Sequence, residues 1–214
     1  MYELDHIVLA APDLDAAKLS FSEQTGVMPI DGGPHEGRGT RNALVSFDNG
    51  AYLEIIAPDP EQSLDGTRGE SFAQLGESRL LHWAVRVDDL QQVADKAKAA
   101  GLTPKDVFQM SRRLPDGTLL EWELMGLGGH DLRGCAPFFI DWLKSPHPSE
   151  TAPKVGDLTL FQIDVPAASP LARFLDAASA GVTLAEGPES MTLSIESPEG
   201  PVSWTTESPA GFEF

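Results

Sequence analysis

His6 and His82 each stand in the middle of a strand-like run, Leu4-Asp5-His6-Ile7-Val8-Leu9 and Leu80-Leu81-His82-Trp83-Ala84-Val85. Glu54 and Glu121 each lie four residues after a turn glycine, in Gly50-Ala51-Tyr52-Leu53-Glu54 and Gly117-Thr118-Leu119-Leu120-Glu121. Two imidazoles and two carboxylates suit a borderline divalent cation such as zinc, nickel, manganese or ferrous iron. With coordination positions left open, that ion acts as a Lewis acid or lowers the pKa of bound water. His6, Glu54, His82 and Glu121 are therefore the candidate metal ligands. A carboxylate among Tyr52, Leu53, Ile55 and Ile56 is costly to bury unless a metal or cation partners it. Each residue also has a plainer explanation. His6 alone fits a satisfied core histidine, and Glu54 alone fits a partner for Arg41. Strand alternation can equally expose Glu121 and bury Trp122. Asp141, in Phe138-Phe139-Ile140-Asp141-Trp142, competes with Glu121 as fourth ligand.

A second group lies in the glycine-rich stretch Asp31 to Asn42, which carries His35, Arg38 and Arg41. His35 suits a general base or a substrate ligand, and Glu121 is the other candidate catalytic group. Arg38 and Arg41 suit bidentate contact with a substrate carboxylate or phosphate. Arg112 and Arg113 precede the second turn, and alternation sends only one of them inward. Arg112 joins Arg38 and Arg41 as a substrate-binding candidate. Solvated surface charges are the competing explanation for Arg38 and Arg41, and a salt bridge to surface acids is that for Arg112.

The elements that must position these groups repeat. After His6 comes an apolar stripe of Leu14, Ala17 and Phe21 at helical spacing, closed by Gly26. After His82, Leu90, Val93, Ala94 and Ala97 make a stripe closed by Gly101. In the first copy, strands over 42–48 and 51–57 flank Asp48-Asn49-Gly50. In the second, strands over 107–114 and 118–125 flank Pro115-Asp116-Gly117. Short strands near Val27 to Ile30 and Leu102 to Pro104 complete a β-α-β-β-β unit in each copy. A third, weaker echo has a strand over 157–165 and a helical stripe of Leu171, Phe174, Leu175 and Ala178. Three short strands follow it, and Gln162 replaces the histidine. The expected fold class is α+β, with paired βαβββ modules in a curled mixed sheet. The units span 1–60, 78–145 and a C-terminal addition over 155–214. Pro137 to Leu143 is too apolar for a free linker and reads as another strand or a plug.

Leu4-Asp5-His6-Ile7-Val8-Leu9, Tyr52-Leu53-Glu54, His82 and Pro115-Asp116-Gly117-Thr118-Leu119-Leu120-Glu121 resemble, in order and spacing, the metal-bearing strands of the vicinal oxygen chelate superfamily. The Gly32 to Asn42 stretch and Pro137 to Trp142 are similar to features of its glyoxalase-like subgroup. The resemblance covers residues 2 to 145 well. It implies a cup closed around a divalent metal that a substrate chelates through two adjacent oxygens. Isomerisation, lyase or dioxygenase chemistry would follow. Metal-free members that bind or sequester small molecules are the alternative. A homodimer is the assembly it suggests. The C-terminal addition and the long glycine-rich stretch depart from a minimal glyoxalase.

The totals bound the rest. The chain has 214 residues, 41% of them hydrophobic, enough for a substantial core. A net charge of -18 argues against nucleic acid and anionic membrane as partners, and the small-molecule substrate is what the resemblance implies. No apolar run approaches the ~20 residues of a membrane span. The one cysteine, Cys135, leaves no intramolecular disulfide. With no secretory pattern at the N-terminus, the expected location is cytoplasmic.

Overall fold

The structure is a computed structural model that describes residues 2–113, 117–166, 174 and 181–211. The first unit comprises β1 (Glu3–Ala10), α1 (Leu14–Thr25), β2 (Ile30–His35), β3 (Thr40–Phe47) and β4 (Tyr52–Pro58). A short helix, α2 (Arg68–Ala73), lies in the connector. The second unit has β5 (Arg79–Arg86), α3 (Leu90–Ala99), β6 (Thr103–Pro104), β7 (Phe108–Arg113) and β8 (Leu119–Met125). Two short strands follow, β9 (Leu127–Gly128) and β10 (Phe138–Asp141). The C-terminal strands are β11 (Lys154–Val165), β12 (Thr183–Glu186), β13 (Ser190–Ser197) and β14 (Gly200–Glu207). Of the expected third helical stripe, Leu171, Leu175 and Ala178 lie outside the described residues. Phe174 is buried, edge-on to Phe139.

Capping starts both long helices where the sequence signals them. Asp13 and Asp89 accept from the backbone N–H groups of Ala16 and Gln92. One large mixed sheet runs β14-β13-β11-β3-β4-β1-β5-β10-β8-β7, with β12 beside β11 and β2 beside β3. Strand β1 is central, parallel to β4 and antiparallel to β5. Strand β10 fills the gap between β5 and β8, so the apolar run from Pro137 is a sheet strand. The C-terminal strands join the same sheet where β11 runs parallel to β3.

Alternation divides the buried side chains into two cores. One, with Ile7, Phe21, Val45, Leu53, Trp83, Val93 and Phe161, packs beneath the helices and the C-terminal strands. The other, with Val8, Leu44, Tyr52, Ile56, Trp122, Phe138 and Trp142, lines the concave face. Two expectations are corrected. The glycine-rich stretch, which follows the short strand expected near Val27 to Ile30, is itself mostly strand. Strand β2 pairs with β3, leaving only residues 36–39 to turn. The strand near Leu102 to Pro104 pairs with β9, outside the large sheet. Among the described residues, no helix is long and apolar enough to cross a membrane.

Candidate active site

The concave face holds an open cavity with about 90 Å³ of free volume. Its polar floor is built from three strands. Strand β3 sends Thr40, Asn42 and Leu44 inward, and β4 sends Tyr52, Glu54 and Ile56. Strand β1 sends His6, which is 4% exposed. Simple alternation would have put Leu4 on the same face as His6. Instead the β1–β5 register shifts between Leu4 and His6. Leu4 packs in the opposite core, and Asp5 stands beside His6. A bulge of this kind turns two successive side chains to one face.

Asp5 is fully buried and accepts three hydrogen bonds. They come from His6 Nδ1 at 2.6 Å, Trp142 Nε1 at 2.9 Å and His147 Nε2 at 2.9 Å. Burial alone would raise its pKa, but the His147 and His6 hydrogen bonds and charges outweigh it. The group is held well below the usual carboxylate range. With Nδ1 committed to Asp5, His6 turns Nε2 to Glu54 Oε2, 3.6 Å away. The imidazole is stacked on Tyr52, with ring centroids 4.7 Å apart. On the other side of Glu54, His35 Nε2 lies 3.6 Å from Oε1. Asn42 Nδ2 donates to Glu54 Oε1 at 2.6 Å and faces His35 Nε2 at 3.3 Å. His35 Nε2 therefore accepts and Nδ1 donates to Thr40 Oγ1 at 3.0 Å, the neutral tautomer. Burial, with Arg112, Arg68 and Arg38 nearby, lowers the His35 pKa against the pull of Glu54.

The arginines form the opposite pole. Arg112, on β7, is 8% exposed and donates through Nη1 to Asn42 Oδ1 at 3.0 Å. Its Nε is buried with no hydrogen-bond partner among the described residues. Gly32 makes room for this pair, since a Cβ there would overlap Asn42 Oδ1 and Arg112 Nη1. Arg38, in the β2–β3 turn, is exposed at the mouth, with its guanidinium 5.9 Å from the Phe108 ring centre. Arg68 opens α2 and lines the cavity between them. Helix α2 reaches this position because Gly69 packs directly on the Gly39 carbonyl, where a Cβ would not fit. Burial and the neighbouring Arg38 bring the Arg68 pKa down to about 10.

Several expected positions change. Glu121 is exposed on the outer face of β8, while Leu120, Trp122 and Leu124 point inward. Its backbone N–H and C=O both bond the Ser145 hydroxyl. Burying the Trp122 indole and leaving a carboxylate in water is the cheaper alternation. Glu121 thus points away from this cavity. His82 is buried but lines a separate cavity with Lys105, His130 and Arg133. Its Nε2 donates to the Ala136 carbonyl at 2.6 Å, and burial lowers its pKa to about 3. Phe138 packs edge-on against both His6 and His82. Asp141 accepts from the Leu143 N–H and takes no part in the cavity. Arg41 lies within β3, where alternation turns it away from the cup to an ion pair with Asp15 on α1. Cys135 is buried, its thiol pushed up to about 12 chiefly by burial.

The four expected donors therefore do not fit a single ion. Among the described residues, no three His, Cys, Asp or Glu side chains stand in a cluster spaced to hold one. Three functional residues escape the sequence. Asp5 carried a signal, an acid inside an apolar strand. His147, between two prolines, and Arg68, in a connector, carried none.

A curled mixed sheet whose concave face holds these groups is the cup of the vicinal oxygen chelate superfamily. A family model for the glyoxalase-like domain matches residues 4–179, and the chain belongs to that family. No curated protein matches it. Among solved structures, a hypothetical protein from Staphylococcus aureus is similar with a TM-score of 0.66 and 17% identity. That match covers 97% of this chain and 86% of the other, and shows the shared fold. Methylmalonyl-CoA epimerase from Mycobacterium tuberculosis is 19% identical over 65% of this chain and 85% of its own, with a TM-score of 0.45. A Streptomyces coelicolor methylmalonyl-CoA epimerase variant in complex with 2-nitronate-propionyl-CoA is 24% identical, at a TM-score of 0.47. It covers 66% of this chain and 97% of its own.

Proposed function

We propose that the cup binds a small oxygenated metabolite and moves a proton on it, at a carbon next to a carbonyl. The observation that carries this is the run Asp5–His6–Glu54–His35 on the floor, facing Arg112 through Asn42. Asp5 and His147 orient His6 so that Nε2 faces the substrate side. Glu54, held by Asn42, is the second proton acceptor. Neutral His35 and the Arg112–Asn42 pair stand where an oxygen gaining negative charge needs donors. The lone, buried thiol suits a reducing, cytoplasmic setting.

A divalent ion is the second reading, favoured by two imidazole nitrogens each 3.6 Å from one carboxylate. The side chains at hand would be His6, Glu54 and His35, which are not spaced to hold an ion as they stand and would have to draw together around it; the ion would polarise a substrate oxygen. The test is proton NMR in D₂O with a panel of 2-oxo acids and diketones, alongside elemental analysis of the purified protein. Enzyme-dependent deuterium uptake at the carbon next to the carbonyl, lost in Glu54→Gln, supports proton transfer. Stoichiometric metal lost in His6→Ala supports the ion. Tight ligand binding with neither result leaves a sequestering protein.

A further inference from the structure

The cavity has a charge and shape of its own, set apart from the rest of the molecule. The chain carries a net charge of -18 and only 15 basic residues, yet three of its arginines face this one cavity. Against them, among the described residues, stand Glu54 in the wall and the buried Asp5 behind His6, so the arginines outnumber the carboxylates by one when the imidazoles are neutral. The arginines are graded in depth. Arg38 is exposed at the mouth, Arg68 is half-buried, and Arg112 is 8% exposed at the floor. Like charges held this close raise the electrostatic energy of the empty cup, and a bound anion lowers it.

Arg112 is the most specific of the three. It uses Nη1 for Asn42, while its Nε has no hydrogen-bond partner among the described residues. A buried guanidinium N–H left without a partner is costly. An oxoanion in the guanidinium plane would satisfy it. The adjoining wall is aromatic and apolar, with Trp122 and Trp142 5.3 Å apart between ring centres and Phe108, Met110 and Ile140 beside them. Rings of this size exclude water from an apolar body and are enriched where ligands are gripped.

We propose that the substrate of this cup is an amphipathic oxoanion: a small organic acid whose carboxylate or phosphonate-type head sits on Arg112 and Arg68 and whose flat apolar body rests against the wall of Trp122, Trp142 and Phe108. This rests on the cup being the substrate site, and adds the class of molecule it selects. Asn42 ties the head to the proton-transfer groups, since it bonds both Arg112 and Glu54. A carbonyl one carbon from the head therefore falls beside His6 and Glu54. A 3-aryl-2-oxo acid, with a CH₂ between its ring and its carbonyl, meets all three demands.

Isothermal titration, with tryptophan fluorescence beside it, tests the class on the full chain. The probes are phenylpyruvate, benzylphosphonate, the neutral analogue phenylacetone and the ring-less acid pyruvate. The proposal expects both aromatic anions to bind at least about tenfold more tightly than phenylacetone or pyruvate. Arg112→Lys should weaken the anions by about tenfold or more and leave phenylacetone unchanged, because lysine keeps the charge and loses the fork. Arg68→Gln should weaken them severalfold, and serves as the test if Arg112→Lys does not fold. Lys154→Gln, on the far surface beside Asp48, should change nothing. A preference for carboxylate over phosphonate, or the reverse, settles the head group. Equal affinity for phenylpyruvate and phenylacetone overturns the proposal. So does anion binding unchanged in folded arginine variants, or no binding of any acid at millimolar concentration. Acids that bind without hydrogen exchange would sink the proton-transfer function and leave the substrate class standing. Exchange on phenylacetone with no gain from the carboxylate would do the reverse.

Discussion

Single side chains carry the chemistry, and Asp5 is the one whose role is most local. Its carboxylate holds His6 Nδ1 and anchors His147 and Trp142. Asp5→Asn is nearly isosteric but cannot accept all three donors. It should lower the exchange rate at saturating substrate by about 100-fold or more while KM changes little, because it disturbs orientation and leaves the arginines intact. Steady-state exchange kinetics at several substrate concentrations would show this. A raised KM with an unchanged limiting rate would place Asp5 in binding instead. Asn42→Ala should do both, since it frees Arg112 and Glu54 together, and KM and limiting rate should each move severalfold or more. His6, Glu54, His35 and Arg38 were legible in the sequence as polar groups inside apolar or glycine-rich runs, and Arg112 as one of two adjacent arginines that strand alternation divides. Asp5 escaped because a bulge is fixed by the register of the partner strand, which the sequence of β1 alone does not contain. His147 escaped because its neighbours describe a loop, and only the fold brings it to Asp5.

Elements decide which of those side chains meet. The two units match in order, yet the matching glutamates face opposite ways. In β4 the inward set is Tyr52, Glu54 and Ile56, and in β8 it is Leu120, Trp122 and Leu124. A one-residue difference in phase inverts every face of a strand. Counting from the turn glycine could not reveal it, whereas the size of Trp122 gave a hint. The glycine-rich stretch has its explanation at this scale too. Strand β2 must pass against Arg112 and Asn42, and Gly32 leaves the space for them. Gly32→Ala should destabilise the protein by ~1–3 kcal/mol, as overpacking does. It should also weaken oxoanion binding, because Arg112 must move. Chemical denaturation and calorimetric titration of the same sample read both effects. Loss of stability with native affinity would show that the crowding is relieved elsewhere.

The whole molecule sets its stability against pH. Burial keeps the His82 imidazole near a pKa of about 3, against an ordinary 6.5. Between those values the unfolded chain binds a proton that the folded chain does not. The stability is therefore complete above pH 6.5 and falls as the pH drops toward 3, by up to ~1.4 kcal/mol per pH unit. Lowered pH also relieves repulsion on the -18 surface, an opposing trend. The clean readout is thus the difference between wild type and His82→Gln, which keeps a donor for the Ala136 carbonyl. Urea midpoints from pH 7 to 4.5 should fall more steeply for wild type than for the variant. Parallel curves would mean that the folded protein protonates His82 without penalty. At this scale most of the architecture was legible, because strand alternation, capping aspartates and turn glycines agree with one another along the chain. The insertion of β10 between β5 and β8 was half legible, since an apolar run states burial but not its neighbours. The central claim is that the floor of the cup moves protons on an organic acid. The most direct measurement is deuterium uptake by phenylpyruvate at saturating concentration, in wild type and His6→Asn, with the affinity of each measured in parallel. The account predicts uptake well above the spontaneous rate in wild type and its near loss in His6→Asn at similar affinity. Uptake equal in both proteins, or no faster than without protein, would contradict it.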